Sequence, residues 1–233
     1  MTTATLHPAA ERFHTAIGWL DSWHSFSFGE HYDPERQEFR SLRVINDDRI
    51  AVGGKFGTHG HRDMEIITWV LSGAVEHRDS LGSGGVIRRG DAQRMSAGTG
   101  IRHSEANPLD HELHLLQIWI EPDRAGHQPS YEQKRIDVDA APDRWHVIAS
   151  PDGRDGSLTI HQDAVLRVAV LRPGARLAHD FAPGRHAWIH VARGAVTVDG
   201  QSLRAGDAVS SGESHPFAIM ASADAEVLLF DLA

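Results

Sequence analysis

The chain has 233 residues, 40% hydrophobic and 24% charged, and its formal net charge is −9 with histidine neutral. These values are typical of a folded globular protein that can bury a core in one large or two small domains, and they exclude general disorder. The acidic balance disfavours nucleic acid and anionic membranes as partners. Because there is no cysteine, disulfides and thiolate metal ligands are excluded, and any metal must be bound by imidazole and carboxylate.

The pattern along the chain is that of a β protein. Short segments rich in Val, Ile, Leu and Trp alternate with Gly, Asp and Ser turns. The predicted strands are 42–45, 64–71, 74–77, 91–96, 113–120, 166–171, 187–191, 195–198, 208–211 and 227–231. Many short strands with tight turns predict a sandwich, jelly roll or barrel. The stretch 121–158, richer in Pro, Asp and Gly, is expected to connect two lobes, with a short helix near 140–145.

An internal repeat indicates a duplicated β unit. The segment 70–75 (VLSGAV) resembles 191–196 (VARGAV) at an offset of 121 residues, and 90–92 (GDA) matches 206–208 at an offset of 116. We therefore expect two lobes, one over residues 1–133 and one over residues 134–233.

Two pairs of polar residues carry metal-ligand chemistry. His59 and His61 are two residues apart after Gly57, and His103 and Glu105 repeat this spacing after Gly98. On an extended chain, side chains at i and i+2 point to the same face, with Cα atoms roughly 6–7 Å apart. If the fold brings the pairs together, they supply three imidazoles and one carboxylate, a set that suits Fe, Ni, Cu, Mn or Zn. The alternative is four polar residues on solvent-facing strand edges.

These residues lie within motifs that resemble those of cupins. Gly53, His59, His61, Glu65 and Gly73 resemble the first cupin motif, although the last Gly is one residue late. Residues 90–96, Gly98, His103 and Asn107 resemble the second motif, with Ser96 in place of the usual Pro and a long gap before His103.

The departures match one branch of the superfamily, the pirin family of bicupins. The fragments that look like pirin sequence are SFSFG at 25–29, HYDP at 31–34, HRDME at 61–65, RMSAG at 94–98, GIRHSE at 100–105 and VLLFDL at 227–232. The resemblance implies an all-β fold of two tandem jelly-roll cupin barrels, with the metal site in the N-terminal lobe. It implies one divalent metal, most often Fe(II), held by His59, His61, His103 and Glu105, and quercetin 2,3-dioxygenase activity in some members.

Glu65 is the rival carboxylate. It shares the parity of His59 and His61, but four residues of strand, roughly 13 Å if extended, separate it from His61. Glu105 needs no such bend and the pirin pattern agrees, so a structural role is expected for Glu65. Each ligand histidine should donate its other ring proton to a nearby acceptor.

The C-terminal lobe is expected to be degenerate and metal-free. The offset of 121 maps His59 to Asp180 and His61 to Ala182, and the offset of 116 maps His103 to Ile219 and Glu105 to Ala221. The histidines near these mapped positions lack the paired spacing; they are His179, His186, His190 and His215.

Other polar and aromatic residues carry weaker signals. His114 lies in a strand that is apolar on both faces, so we expect a hydrogen-bonded core or cavity-lining residue rather than a fifth ligand. Trp69 and Trp119 could line an aromatic pocket, with core packing the simpler interpretation. The Asp47–Asp48 pair and Glu30 are expected to be solvated loop charges.

Two functions follow as hypotheses. The first is a metal-dependent dioxygenase that opens flavonols such as quercetin with O₂, in which Glu105 takes the substrate's hydroxyl proton as general base. The second is a non-enzymatic metal or redox sensor that binds a partner protein, which the sequence does not identify. We expect that residues 1–13 are not a signal peptide, and no run approaches the ~18 apolar residues of a membrane span. We expect a cytoplasmic protein.

Overall fold

The computed structural model describes residues 4–212 and 216–233, and nearly all of the regular structure is β. The strands are β1 Thr5–His7, β2 Phe13–Ile17, β3 Leu20–His24, β4 Leu42–Ile50, β5 Lys55–His61, β6 Glu65–Ser72, β7 Ala74–Asp79, β8 Gly84–Arg88, β9 Asp91–Ser96, β10 Ile101–Ala106, β11 Leu113–Ile120, β12 Ser130–Arg135, β13 His146–Ser150, β14 Leu158–Thr159, β15 Ala164–Leu171, β16 Arg176–His179, β17 His186–Arg193, β18 Ala195–Val198, β19 Gln201–Arg204, β20 Ala208–Ser211, β21 Phe217–Ala221 and β22 Ala225–Leu232. Two short 3₁₀ helices occupy Ala9–Glu11 and Arg154–Gly156. Across these two ranges, no helix has the length and apolar character needed to cross a membrane. His215 lies outside the described residues.

The chain forms two compact units. The N-terminal unit comprises Arg12–Arg135 and Leu158–Gln162, and the C-terminal unit comprises Ile136–Ser157, Asp163–Ala233 and the described part of Met1–Glu11. The division expected from the sequence, 1–133 and 134–233, differs for two short segments. It places the residues up to Glu11 in the N-terminal lobe and Leu158–Gln162 in the C-terminal lobe.

Two antiparallel sheets form the N-terminal unit. One has seven strands in the order β12-β9-β6-β11-β4-β3-β2, and the other has four in the order β5-β10-β7-β8. Ile50, Val70 and Leu115 of the first sheet pack with Val75 and Ile87 of the second. The strands β6 and β11 are almost continuously apolar because both of their faces are buried, whereas β5 is mostly exposed and polar.

The C-terminal unit repeats this arrangement. Six of its strands run in the order β1-β20-β17-β22-β15-β13, and four run in the order β16-β21-β18-β19. The strands β20, β17, β22 and β15 thus correspond to β9, β6, β11 and β4. The repeated segments 70–75 and 191–196 lie at matching places, because each begins in a strand and continues through a tight turn into the next strand. Gly73 and Gly194 both have positive φ in these turns (82° and 74°). The two-lobed all-β fold with a duplicated unit is confirmed.

The predicted helix near 140–145 is wrong. Residues 138–140 form a turn and the following residues are bends or irregular. Pro142 disfavours helical geometry in the residue before it, and Asp143 adopts a left-handed φ of 64°. The stretch expected to be a connection also contains β12, which pairs with β9, and β13, which pairs with β15.

Candidate metal centre and its pocket

Neighbouring antiparallel strands, β5 and β10, carry all four predicted ligands. Their register places His103 opposite His59 and Ile101 opposite His61. Because side chains two residues apart share a face, His59 and His61 approach His103 from the adjacent strand. The sequence could not specify that the two ligand pairs lie on neighbouring strands, and the antiparallel pairing of β5 with β10 brings them together.

The three imidazoles converge through their Nε2 atoms. Nε2 of His103 lies 3.0 Å from Nε2 of His61 and 3.1 Å from Nε2 of His59. Two nitrogens bound at about 2.1 Å to one ion and at a right angle to each other are separated by about 3 Å. The spacing of these nitrogens thus fits three ligands of a single transition-metal ion.

Hydrogen bonds behind the rings fix which nitrogen is available. Nδ1 of His59 is 2.8 Å from the carbonyl oxygen of Gly57, which can only accept, so the ring donates from Nδ1 and keeps its lone pair on Nε2. Nδ1 of His103 is 3.4 Å from Nδ1 of His77, and Nε2 of His77 is 3.2 Å from Oδ2 of Asp79.

The Asp79 carboxylate sets the direction of this chain of bonds. Its Oδ1 accepts the backbone N–H groups of Leu81 and Ser83, at 2.9 and 3.0 Å, and its Oδ2 accepts from Nε2 of His77. His77 then accepts at Nδ1 from His103, whose Nε2 carries a lone pair. The expected acceptors behind the ligands are therefore present at His59 and His103, but the sequence did not indicate His77 or Asp79 because they lie on a different strand.

Burial keeps the imidazoles of His61 and His103 neutral. Burial, with a smaller contribution from His59, lowers the pKa of His61 to about 4. Burial together with the neighbouring His59, His61 and His77 lowers the pKa of His103 to about 2. Lone pairs on nitrogens only about 3 Å apart repel each other unless a cation lies between them. The arrangement of the three rings therefore fits a metal site better than a group of histidines that take up protons.

Glu105 lies beside this group but is not part of the three-histidine cluster. Its carboxylate groups with His103 and His77 instead. A β-bulge between His103 and Glu105 places Glu105 opposite Phe56, and such bulges re-aim side chains. The side chain is 5% exposed, Oε2 accepts from Nε2 of Gln117 at 3.1 Å, and Oε1 is buried without a hydrogen-bond partner among the described residues.

The environment of Glu105 favours its protonated form. Burial raises its pKa to about 7, the bond from Gln117 opposes that shift, and the charge of Asp48 adds to it. A cation near Oε1 would favour the ionised form. The orphaned buried oxygen and the facing nitrogens together fit a metal held by His59, His61, His103 and Glu105.

Glu65 occupies a separate polar cluster. Its carboxylate accepts from Oγ of Ser96 at 2.7 and 2.9 Å, and its Oε1 lies 3.0 Å from Nδ1 of His161. His161 in turn stacks on His127 with ring centroids 4.0 Å apart. These bonds occupy the carboxylate at a site outside both clusters that could hold a metal among the described residues.

A cavity of about 750 Å³ opens beside the histidines. Its apolar lining comes from Ile17, Trp19, Leu20, Phe28, Phe56 and Trp119, and its polar lining includes Thr15, His24, His31, Asn46, Asp48, Lys55, His59, His61, Glu105 and Gln117. Trp119 lines this pocket with its ring against His61 (centroids 5.0 Å apart), whereas Trp69 is fully buried in the core.

The expectation that Asp47 and Asp48 are solvated loop charges is wrong. Both lie in β4, where Asp48 is 4% exposed and accepts from Oγ of Ser22, and its burial raises its pKa to about 7. Asp47 lies 2.6 Å from Nε2 of His114, which is thus a hydrogen-bonded core histidine, and 3.3 Å from Arg12. The polar residues 46–49 concealed the second half of β4 from the hydrophobic pattern. They can lie in a buried strand because their inward side chains form hydrogen bonds with residues of neighbouring strands.

The C-terminal unit keeps a histidine at only one of the four matching positions. The register of β16 and β21 pairs Ile219 with Leu177 and Phe217 with His179. The residues that match His59 and His61 are therefore Leu177 and His179, and not Asp180 and Ala182, because a constant offset ignores the differing turns before these strands. Ile219 and Leu177 both belong to the apolar core of this unit.

Comparison with known proteins agrees with the fold. A family model described as Pirin matches residues 7–120, and one described as Quercetinase C-terminal cupin domain matches residues 147–232. A quercetin 2,3-dioxygenase of Escherichia coli K12 is 50% identical over 228 residues, 97% of each chain, and a putative one of Mycobacterium tuberculosis H37Rv is 44% identical over 234 residues, 99% of this chain and 95% of the relative. The crystal structure of the bacterial pirin YhhW from Escherichia coli in complex with nickel(II) superposes with a TM-score of 0.93 at 48% identity over 99% of each chain. The chain therefore belongs to the pirin family, whose members are built from two cupin domains.

Proposed function

We propose that this protein is a metal-dependent dioxygenase that opens flavonols such as quercetin with O₂. The observation that carries the proposal is the convergence of three imidazole Nε2 atoms beside an apolar cavity of about 750 Å³, with Nε2 of His103 lying 3.0 and 3.1 Å from the other two. Relatives of nearly full-length similarity bear the name quercetin 2,3-dioxygenase, which supports the same activity here.

The residues that would hold the metal are His59, His61, His103 and Glu105. Such a nitrogen and oxygen set accepts several divalent ions, and we propose Fe(II), with Ni(II), Cu(II), Mn(II) and Zn(II) as other possible occupants. A pirin structure with nickel(II) shows that a relative binds a divalent ion. When bound, the metal would supply Lewis-acid polarisation of a substrate oxygen.

The pocket suits a flat aromatic substrate. Trp119, Phe28 and Phe56 offer aromatic faces or edges, and the cavity volume lies within the range of roughly 300–1,000 Å³ of pockets that enclose small molecules. Stacked or edge-on aromatic contacts would hold the rings and exclude water from the reacting hydroxyl.

Glu105 would take the hydroxyl proton of the substrate. Its Oε1 is buried and has no hydrogen-bond partner among the described residues, while Gln117 holds Oε2. We propose that the Glu105 carboxylate accepts the proton from the flavonol hydroxyl.

Anaerobic loading with Fe(II), Ni(II), Mn(II) or Cu(II), followed by addition of quercetin and O₂, tests the activity. Multiple turnovers with matching O₂ uptake are expected for at least one metal. Stoichiometric metal binding without turnover of any flavonol would contradict the enzyme and favour the metal or redox sensor that binds a partner protein.

The base is tested by Glu105→Gln, which keeps a coordinating oxygen and removes the basicity. We expect kcat per bound metal to fall by about 10²–10⁴-fold, the usual contribution of a general base. Normalising to metal content separates this effect from metal loss. An unchanged normalised kcat would mean that Glu105 is a ligand only.

A cytoplasmic location without nucleic-acid or membrane partners belongs to the same proposal. It is supported by the net charge of −9, which repels phosphate backbones and anionic lipid surfaces.

A further inference from the structure

A polar cluster on strands β2, β3 and β4 and on the loop between β3 and β4 lines the same cavity. It consists of Thr15, His24, His31 and Asn46, and is called here the β2–β4 polar cluster. Oγ1 of Thr15 lies 3.0 Å from Nε2 of His24 and 3.1 Å from Nε2 of His31, and Nδ1 of His24 lies 2.8 Å from Oδ1 of Asn46. All four residues line the cavity, and neither His24 nor His31 is needed for the metal.

Successive ring contacts connect this cluster to the metal centre. Trp119 meets His61 at a centroid distance of 5.0 Å and Phe28 at 5.5 Å. Phe28 stacks on His24 at 5.1 Å, and His24 lies 5.6 Å from His31. The cavity therefore has a continuous aromatic wall, with metal ligands at one end and hydrogen-bonding groups at the other.

The hydrogen bonds of the cluster run in one direction. Oδ1 of Asn46 can only accept, so His24 donates from Nδ1 and its Nε2 is an acceptor. Burial lowers the pKa of His24, which favours this neutral form. Thr15 has a single proton, which it donates to His24, so it accepts from Nε2–H of His31.

His31 is left with an acceptor that no described residue uses. With its proton on Nε2, its Nδ1 carries a lone pair, and the only side-chain hydrogen bond of His31 among the described residues is that to Thr15. The ring is held in place by stacking on Phe13, with centroids 5.4 Å apart. An oriented, partly buried acceptor in an aromatic pocket is complementary to an O–H donor on a flat ring.

We infer that the β2–β4 polar cluster determines substrate specificity, with Nδ1 of His31 accepting a hydrogen bond from a phenolic hydroxyl on the outer ring of the substrate farther from the metal. The inference rests on the proposed function for the identity of the substrate class. It adds that the pocket distinguishes substrates by hydroxylation of that ring, since a site built to pair with an O–H group binds analogues without it less well.

The test compares flavonols that differ only in outer-ring hydroxyls. Quercetin and galangin differ in the hydroxyls of the pendant ring, and galangin and 3-hydroxyflavone differ in those of the fused ring. Dissociation constants are measured without O₂ on the nickel-loaded protein, from quenching of tryptophan fluorescence. For the wild type, one of the two pairs should show about 3- to 10-fold tighter binding of the hydroxylated member, the usual strength of one neutral hydrogen bond.

His31→Phe keeps an aromatic ring on Phe13 and removes both nitrogens. It should abolish the preference within that pair while the less hydroxylated member binds within about twofold of its wild-type affinity. Thr15→Val removes the hydroxyl that accepts from Nε2–H of His31, so the proton of His31 is no longer held on Nε2. This variant should reduce the preference in the same pair. His111→Phe changes an exposed histidine that does not line the cavity and should leave both affinities unchanged.

Equal loss of affinity for both members of the pair in His31→Phe, a preserved preference, or no preference in the wild type would overturn the inference. Because binding is measured without turnover, an intact preference in a protein that never turns over flavonols would sink only the proposed function. Turnover without any hydroxyl preference would sink only this inference, and absence of flavonol binding would sink both.

Discussion

The individual ligands can be tested by their effect on metal content. His61→Ala removes a nitrogen 3.0 Å from Nε2 of His103, and we expect affinity for Ni(II) to fall by more than about 100-fold, beyond the usual effect of losing a residue behind a ligand. His103→Ala should do the same. The fold should survive, because the cores of the unit consist of other residues.

Glu65→Gln and Glu105→Gln form the matched pair for the carboxylate. Glu65 is bound by Ser96 and His161, so its variant should retain most of the metal. Metal analysis in which Glu65→Gln is empty and Glu105→Gln is full would reverse the carboxylate assignment.

Asp79 should affect the metal without touching it. Asp79→Asn replaces the acceptor of Nε2–H of His77, so the bond that directs the lone pair of His103 toward the metal is no longer enforced. Loss of such an orienting partner usually weakens binding by about 10- to 100-fold. Competition with a chelator measures the affinity, and ¹⁵N NMR of the metal-free protein should show the proton of His103 redistributed between its ring nitrogens. An unchanged tautomer and affinity would contradict this role.

Metal affinity should also depend on pH through Glu105. In the metal-free protein burial raises the pKa of Glu105 to about 7, so the group is mostly protonated at pH 6 and must lose that proton to bind a cation. The pKa values of His61 and His103, about 4 and 2, leave both imidazoles neutral at this pH. Affinity for Ni(II) should therefore fall by about tenfold from pH 8 to pH 6, with proton release at pH 6 detectable by calorimetry in two buffers. The dependence should flatten in Glu105→Gln.

Among the strands, hydrophobic alternation predicted those of the core well and missed those of the site. The predicted spans 91–96 and 113–120 coincide with β9 and β11, whose apolar residues pack inside the unit. By contrast, β5 is rich in Gly and His and has no apolar stripe, so only its i, i+2 parity could be used. The bulge before Glu105 and the partners His77 and Asp79 depend on pairing between strands, which a single sequence does not encode locally.

The turn before β10 offers a test of how this strand is positioned. Gly98 has φ of 45°, and a Cβ there would lie 2.0 Å from the carbonyl oxygen of His127. Gly98→Ala must displace the backbone that leads to His103, so we expect a loss of about 2 kcal/mol or more in the free energy of unfolding, together with weaker metal binding. Gly57→Ala, where a Cβ meets nothing within 4 Å, is the matched control in β5 and should change stability little. Equal stability of the two variants in thermal unfolding would show that the turn does not constrain β10.

For the chain as a whole, the sequence predicted the duplication but did not predict that the N-terminal strand β1 belongs to the C-terminal unit. The repeat at 70–75 and 191–196 marks strands that occupy equivalent places in the two units. In the N-terminal unit the edge strand next to β9 is β12, which follows β9 in the chain. In the C-terminal unit the equivalent edge strand, next to β20, is β1, which comes from the start of the chain. Short polar segments such as β1 carry no signal of their partner, because pairing far along the chain depends on the assembled sheet.

The same comparison of units predicts one metal per chain. Of the positions that match the four ligands, Leu177, Ile219 and Ala221 offer no ligand atom, and Nε2 of His179 lies 3.3 Å from Asp231. Loss of three ligands of four removes most of the affinity that multiple coordination provides, so we expect the C-terminal unit to bind no metal with comparable strength. Metal analysis of protein purified without an affinity tag should give one equivalent, and His61→Ala should lower it toward zero. A second equivalent, or one that persists in His61→Ala with anomalous scattering near His179, His186 or His190, would mean that the second unit retained a site of its own.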